Sequence, residues 1–81
     1  MTQNGKTVEL DVRPILKAKK EPFKDIMEAV KSLEPEDTFV LHATFKPVPL
    51  FKVMERKGFL YEAIHEGKSH WIIRFWKERK E

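Results

Sequence analysis

The chain has 81 residues, 41% hydrophobic and 36% charged, which is enough for one small core and excludes a multidomain assembly. It contains no cysteine, so disulfides, thiolate metal sites and thiol nucleophiles are ruled out and stability must come from packing. Sixteen Lys and Arg against 13 Asp and Glu leave a net charge of +3, an excess that permits an anionic partner without requiring one.

Met1 to Lys6 is polar, carries Gly5, and reads as a frayed tail. Val8, Leu10 and Val12 alternate with Glu9 and Asp11, the period of a half-buried strand, and Pro14 ends it. A lysine-rich loop is expected over Ile15 to Glu21. Pro22 suits the first turn of a helix, and Phe23, Ile26, Met27, Val30 and Leu33 form its apolar stripe. That helix must stop before Pro35. Asp37 to Phe45, rich in β-branched and aromatic residues, reads as a second strand, with His42 half-buried in it as a structural residue. Pro47 and Pro49 open a second helix whose apolar surface is Leu50, Phe51, Val53 and Met54. Gly58 fits a left-handed C-terminal cap, with Phe59 packing back on the last turn. Phe59–Glu66 and Ser69–Lys77 then flank Gly67-Lys68 as a hairpin with a type II′ turn.

The order β-α-β-α-β-β predicts an α+β fold: a two-layer sandwich with a four-stranded mixed sheet and two helices on one face. The domain is expected over residues 7–77, between a disordered tail (1–6) and a charged tail (78–81). No apolar run approaches the length needed to cross a bilayer and no signal-peptide layout opens the chain, so no membrane role and a cytoplasmic location are expected.

Leu10-Asp11-Val12-Arg13 entering a loop, Glu21-Pro22 opening a helix, and Gly58-Phe59 before a terminal hairpin resemble the TusA/SirA-like proteins over roughly Val8 to Trp76. The closer resemblance is to a sister family of prokaryotic domains of unknown function, which share the Leu-Asp-Val-Arg start and a Pro-x-Pro-Leu, here Pro47-Val48-Pro49-Leu50. The resemblance implies strand order 1-2-4-3. It also implies sulfur relay for true TusA members, through a cysteine just before the first helix's proline. Glu21 stands at that position, and a carboxylate cannot carry a persulfide. The histidine that the sister family often places before its Pro-x-Pro-Leu is also missing; Phe45 and Lys46 fill those positions.

Three groups of residues invite a functional reading. Parallel strands would bring both helix N-termini to one sheet edge, where Arg13, Lys17, Lys19, Lys20 and Lys46 could hold an anion, although Glu21 would oppose it. The ligand-facing edge is therefore assigned to Arg13, Glu21, Lys46 and Pro47. In the expected hairpin register His65 opposes His70, a weak candidate pair for a shared metal against the blander reading of two surface residues. The same register puts Leu60, Ile64, Trp71, Ile73 and Phe75 on one face and Phe59, Tyr61, Ala63, Ile72 and Trp76 on the other. Only one face can lie under the helices.

The uncovered aromatic face, represented by Tyr61, Ile72, Arg74 and Trp76, suits homodimerisation or docking to a protein partner. Base stacking is a weaker alternative, since Arg74 and Lys77 flank the aromatics but no RNA-recognition signature is present. Catalysis fits worst: Ser69 has no glycine elbow and no evident base, no carboxylate pair stands out, and Asp11 with Arg13 reads as an ordinary ion pair. No cofactor is called for. The sequence thus leaves three classes open, with a binding or interaction module first, an anion or nucleic-acid binder second, and a small-ligand or metal accessory domain third.

Overall fold

The computed structural model describes residues 5–77. Its elements are β1 (Thr7–Asp11), α1 (Arg13–Lys17), α2 (Phe23–Lys31), β2 (Thr38–Ala43), α3 (Val48–Arg56), β3 (Phe59–Gly67) and β4 (His70–Lys77). The four strands form one sheet in the order β1-β2-β4-β3, with β1 parallel to β2 and the other pairs antiparallel. The mixed sheet and strand order are those expected.

Side-chain alternation splits the sheet into a covered and an open face. Val8 and Leu10 of β1, Phe39, Leu41 and Ala43 of β2, Ile73 and Phe75 of β4, and Phe59 and Tyr61 of β3 lie under the helices. There they meet Ile26 and Val30 of α2 and Leu50, Phe51 and Met54 of α3 in one core. Phe51 stacks on Tyr61 at 4.1 Å between ring centroids, and Phe39 on Phe75 at 5.9 Å. The open face carries Glu9, Asp11, Val40, His42, Ile72, Arg74, Trp76, Leu60, Glu62 and Ile64.

Four expectations change. The lysine-rich loop after β1 begins with the short helix α1, giving three helices among the described residues in place of two. Proline is tolerated in a first helical turn, so Pro14 ends the strand and also starts this helix. Lys20 N–H donates to the Ile15 carbonyl and Lys19 N–H to that of Leu16, a Schellman closure with Lys19 in the left-handed region (φ 61°).

Lys6, expected in the tail, is bonded into the fold. Lys6 N–H donates to Asp37 Oδ1 (3.0 Å) and the Lys6 carbonyl accepts from Thr38 N–H (2.9 Å). Asp37 also accepts from Glu34 N–H (2.9 Å) through Oδ2, so one buried carboxylate ties the start of β1 to the turn before β2. These two backbone donors, Glu34 first and Lys6 second, lower the Asp37 pKa. Met1–Asn4 and the charged tail at 78–81 lie outside the described residues.

The hairpin register also differs by one residue. His65 pairs with Trp71, Gly67 with His70, and the ladder is irregular at Glu66 between them. The turn is therefore Lys68-Ser69, and Gly67 belongs to β3. The slip redistributes the hairpin faces: Phe59, Tyr61 and Ala63 join Trp71, Ile73 and Phe75 below the helices, while Leu60 and Ile64 join Ile72 and Trp76 on the open side. Tyr61 thus leaves the expected interface set, whereas Ile72, Arg74 and Trp76 stay on the open face.

Candidate functional site

The C-terminal ends of β1 and β2, the start of β4 and the first turns of α2 and α3 meet at one end of the molecule. The sheet divides this end into an apolar groove on the helix side and a polar depression beside the open face.

The groove, about 270 Å³, is lined by Leu16, Pro22, Phe23, Ile26, Phe45, Pro47, Pro49 and Leu50, with Lys20 and Glu21 at its rim. Two of its walls are exposed aromatics: Phe23 is 40% and Phe45 51% accessible, with Val48 nearby in sequence at 49%. Phe23 falls on the apolar stripe of α2, yet it stands at the N-terminal end of the stripe, beyond the part the sheet covers.

The depression, about 550 Å³, is lined by Asp11, Arg13, Pro14, Lys17, Ser69 and His70. Arg13 clasps Asp11 in a bidentate pair, Nε to Oδ1 at 2.9 Å and Nη2 to Oδ2 at 2.7 Å, and its backbone N–H also reaches Oδ1. The Arg13 side-chain hydrogen bonds hold the Asp11 pKa down to about 2, and Asp11 in turn raises that of Arg13.

The expected edge set therefore separates. Glu21 and Pro47 share the groove, Arg13 lies at the depression bound to Asp11, and Lys46 projects over the Trp71 ring with its Nζ 5.9 Å from the centroid. The α3 N-terminus has no donor to spare for an anion. Val48 N–H bonds the Lys46 carbonyl, Leu50 and Phe51 N–H bond that of Pro47, and Pro49 has no N–H. At the α2 N-terminus Asp25 sits in the first turn, behind Glu21.

The histidines are redistributed by the hairpin register. His65 stacks on Trp71 (4.4 Å between centroids, planes 7° apart), on the strand face opposite to His70. His70 meets His42 across the open face, with Nδ1 of His42 3.0 Å from Nε2 of His70. The cause lies in the ladder: His42 opposes Ile72, so His70, two residues earlier on β4, is its diagonal neighbour on the same face. Behind His42, Glu9 Oε2 approaches Nε2 at 3.7 Å. Sequence reasoning missed this pair because His42 and His70 meet only through the β2–β4 register, which no local spacing reveals. Among the described residues, no group of three or more His, Asp or Glu is placed to hold a metal ion.

A family model described as an uncharacterized conserved protein, DUF2249, matches residues 9–77. The chain belongs to this family. The DUF2249 match spans the strand-loop start, the Pro-x-Pro-Leu and the terminal hairpin on which the sequence resemblance rests. It agrees with an uncharacterised family and brings no support for membership among the TusA/SirA-like proteins. No curated protein and no solved structure matches the chain. No helix among the described residues is long and apolar enough to cross a membrane.

Proposed function

We propose that this DUF2249 chain is a protein-interaction module whose edge groove receives an apolar side chain from an acidic segment of a partner. The observation that carries the reading is the exposure of Phe23 and Phe45 around a preformed groove lined by prolines and aliphatic side chains. Lone exposed apolar residues need no explanation, but two phenylalanines bordering one apolar groove make a recognition surface. An anion is the poorer occupant of this groove, because its walls are apolar, α3 has spent its first N–H groups, and Glu21 and Asp25 put negative charge at the start of α2. Lys20 and Glu21 stand at the groove itself, and the exposed residues next to its lining in sequence, Lys19, Lys24 and Lys46 against Asp25, tip the balance toward acidic flanks on the ligand. A groove of about 270 Å³ holds no more than one or two side chains, which implies a weak, exchangeable contact.

The test is an amide NMR titration with acetylated acidic pentapeptides carrying leucine, phenylalanine or alanine at the centre, beside a leucine peptide with lysine flanks. The leucine and phenylalanine peptides should shift Leu16, Phe23, Ile26, Phe45 and Leu50, the alanine peptide should not, and lysine flanks should weaken the effect. Phe45→Ser, at an exposed position, should keep the fold and lose the shifts. Equal responses to the leucine and alanine peptides, or shifts that survive Phe45→Ser, would overturn the reading.

A further inference from the structure

The imidazole pair on the open face is independent of the groove, and we propose that His42 and His70 chelate a first-row divalent transition metal. Imidazole nitrogen is the ligand that zinc, copper and nickel share. With a metal–nitrogen bond of about 2.0–2.1 Å, each ring centroid lies roughly 3.2 Å from the ion, so a tetrahedral pair has centroids about 5.2 Å apart. The two rings are 5.2 Å apart, centroid to centroid. Their facing nitrogens, now 3.0 Å apart, need open only to about 3.3–3.4 Å. Uptake therefore turns the rings out of their mutual hydrogen bond while the ring centres, and the strands that carry them, stay in place.

The surroundings supply the rest of a two-ligand site. The β2–β4 ladder fixes the spacing of the two Cα atoms, so little chain entropy is lost on chelation. Glu9 Oε2 lies 3.7 Å from the Nε2 of His42, beyond hydrogen-bond distance, but a small turn of this exposed side chain would let it accept from that nitrogen and leave Nδ1 free to ligate, as carboxylates behind metal-bound histidines do. His70 lines the depression with Asp11, Arg13, Lys17 and Ser69, so the ion's other positions open toward water and toward cationic side chains that would hold an anionic co-ligand. Asp11 adds negative charge beside His42 in the β1–β2 register, yet its oxygens are clasped by Arg13 and it is not a third ligand. With two protein ligands the site exchanges its metal and binds it less tightly than a closed structural centre.

The experiment is a Zn²⁺ titration of the full chain followed through the imidazole ¹⁵N signals, which identify the metallated nitrogen of each ring. Zinc should move Nδ1 of His42 and Nε2 of His70 together. His42→Gln and His70→Gln should each weaken binding at least about tenfold, Glu9→Gln should weaken it by roughly tenfold, and His65→Ala should leave it unchanged. Ring signals of His42 and His70 that stay fixed in a large excess of Zn²⁺ would overturn the proposal, as would undiminished binding in His70→Gln. Loss of binding in His65→Ala would place the metal on the other face and refute it equally.

Discussion

Gly58 and Lys19 are the two described residues with positive φ, and exchanging their side chains tests whether backbone conformation alone governs the helix ends. Gly58 follows α3 at φ 93°, and a Cβ built there would meet no atom within 4 Å. Gly58→Ala therefore costs only the left-handed penalty, about 1–2 kcal/mol. The stiffer unfolded chain returns about 0.4–1 kcal/mol of this. The net loss is about 1 kcal/mol, which in a domain of this size lowers Tm by roughly 4–8 °C. Gly67 is the internal control: a Cβ there also meets nothing within 4 Å, but its φ is not positive. Gly67→Ala should be neutral or slightly stabilising. Conversely, Lys19→Gly should stabilise by a few tenths of a kcal/mol, the relieved strain being partly offset by the added freedom of the unfolded chain. Thermal and urea unfolding followed by circular dichroism would read all three. Equal shifts for Gly58→Ala and Gly67→Ala would refute the reasoning, because side-chain contacts predict no difference between them.

The acid limb should report two carboxylates. Both Asp11 and Asp37 have lowered folded-state pKa values, so the stability they contribute is present above the usual carboxylate range and lost as pH falls through it, for Asp11 between about 4 and 2. Asp37→Asn should lower Tm at neutral pH and flatten the acid limb. Asp11→Asn should do so only weakly, since both side chains of the Asp11–Arg13 pair are more than a third exposed, 41% and 34%. A urea midpoint of Asp37→Asn equal to wild type at pH 7 would contradict the tie between β1 and the β2 turn. Met54→Ala removes a side chain with no accessible surface and should cost about 2–5 kcal/mol, a large share of the stability such a domain possesses. A loss below that range would mean that α3 collapses onto the vacancy.

The elements with strong local signals were legible because their physics is local. The alternation at Val8–Val12, the spacing of Ile26, Met27 and Val30, and Gly58 at the end of α3 each need only a few neighbouring residues to act. The pairing of Asp11 with Arg13 was equally readable at a separation of two. α1 was not, since its closing left-handed residue is lysine where glycine would have announced it. Asp37 looked like the first residue of a strand, and its role as an acceptor depends on Lys6, 31 residues away. The groove was half visible: Glu21 and Pro47 do share it, but the exposure of Phe23 depends on how far the sheet extends beneath α2.

The remaining errors trace to a single residue. A two-residue turn at Gly67-Lys68 would place His65 opposite His70 and Ile64 opposite Trp71. The irregularity at Glu66 moves the turn to Lys68-Ser69, and because side chains alternate with a period of two, that step exchanges the faces of the paired strands. Tyr61 then reaches Phe51 under α3, and Trp71 lies on the helix side, where Lys46 and His65 contact its ring. His70 is left on the open face, two positions from the residue opposite His42. The irregularity separates the hairpin's own histidines, whereas the cross-strand pair with His42 follows from the β2–β4 register and the alternation of β4. A deletion of Glu66 should therefore keep the pairs His65–Trp71 and Gly67–His70, leave His70 beside His42 and preserve zinc binding; loss of binding in that variant would refute the assignment of the pair to the β2–β4 register.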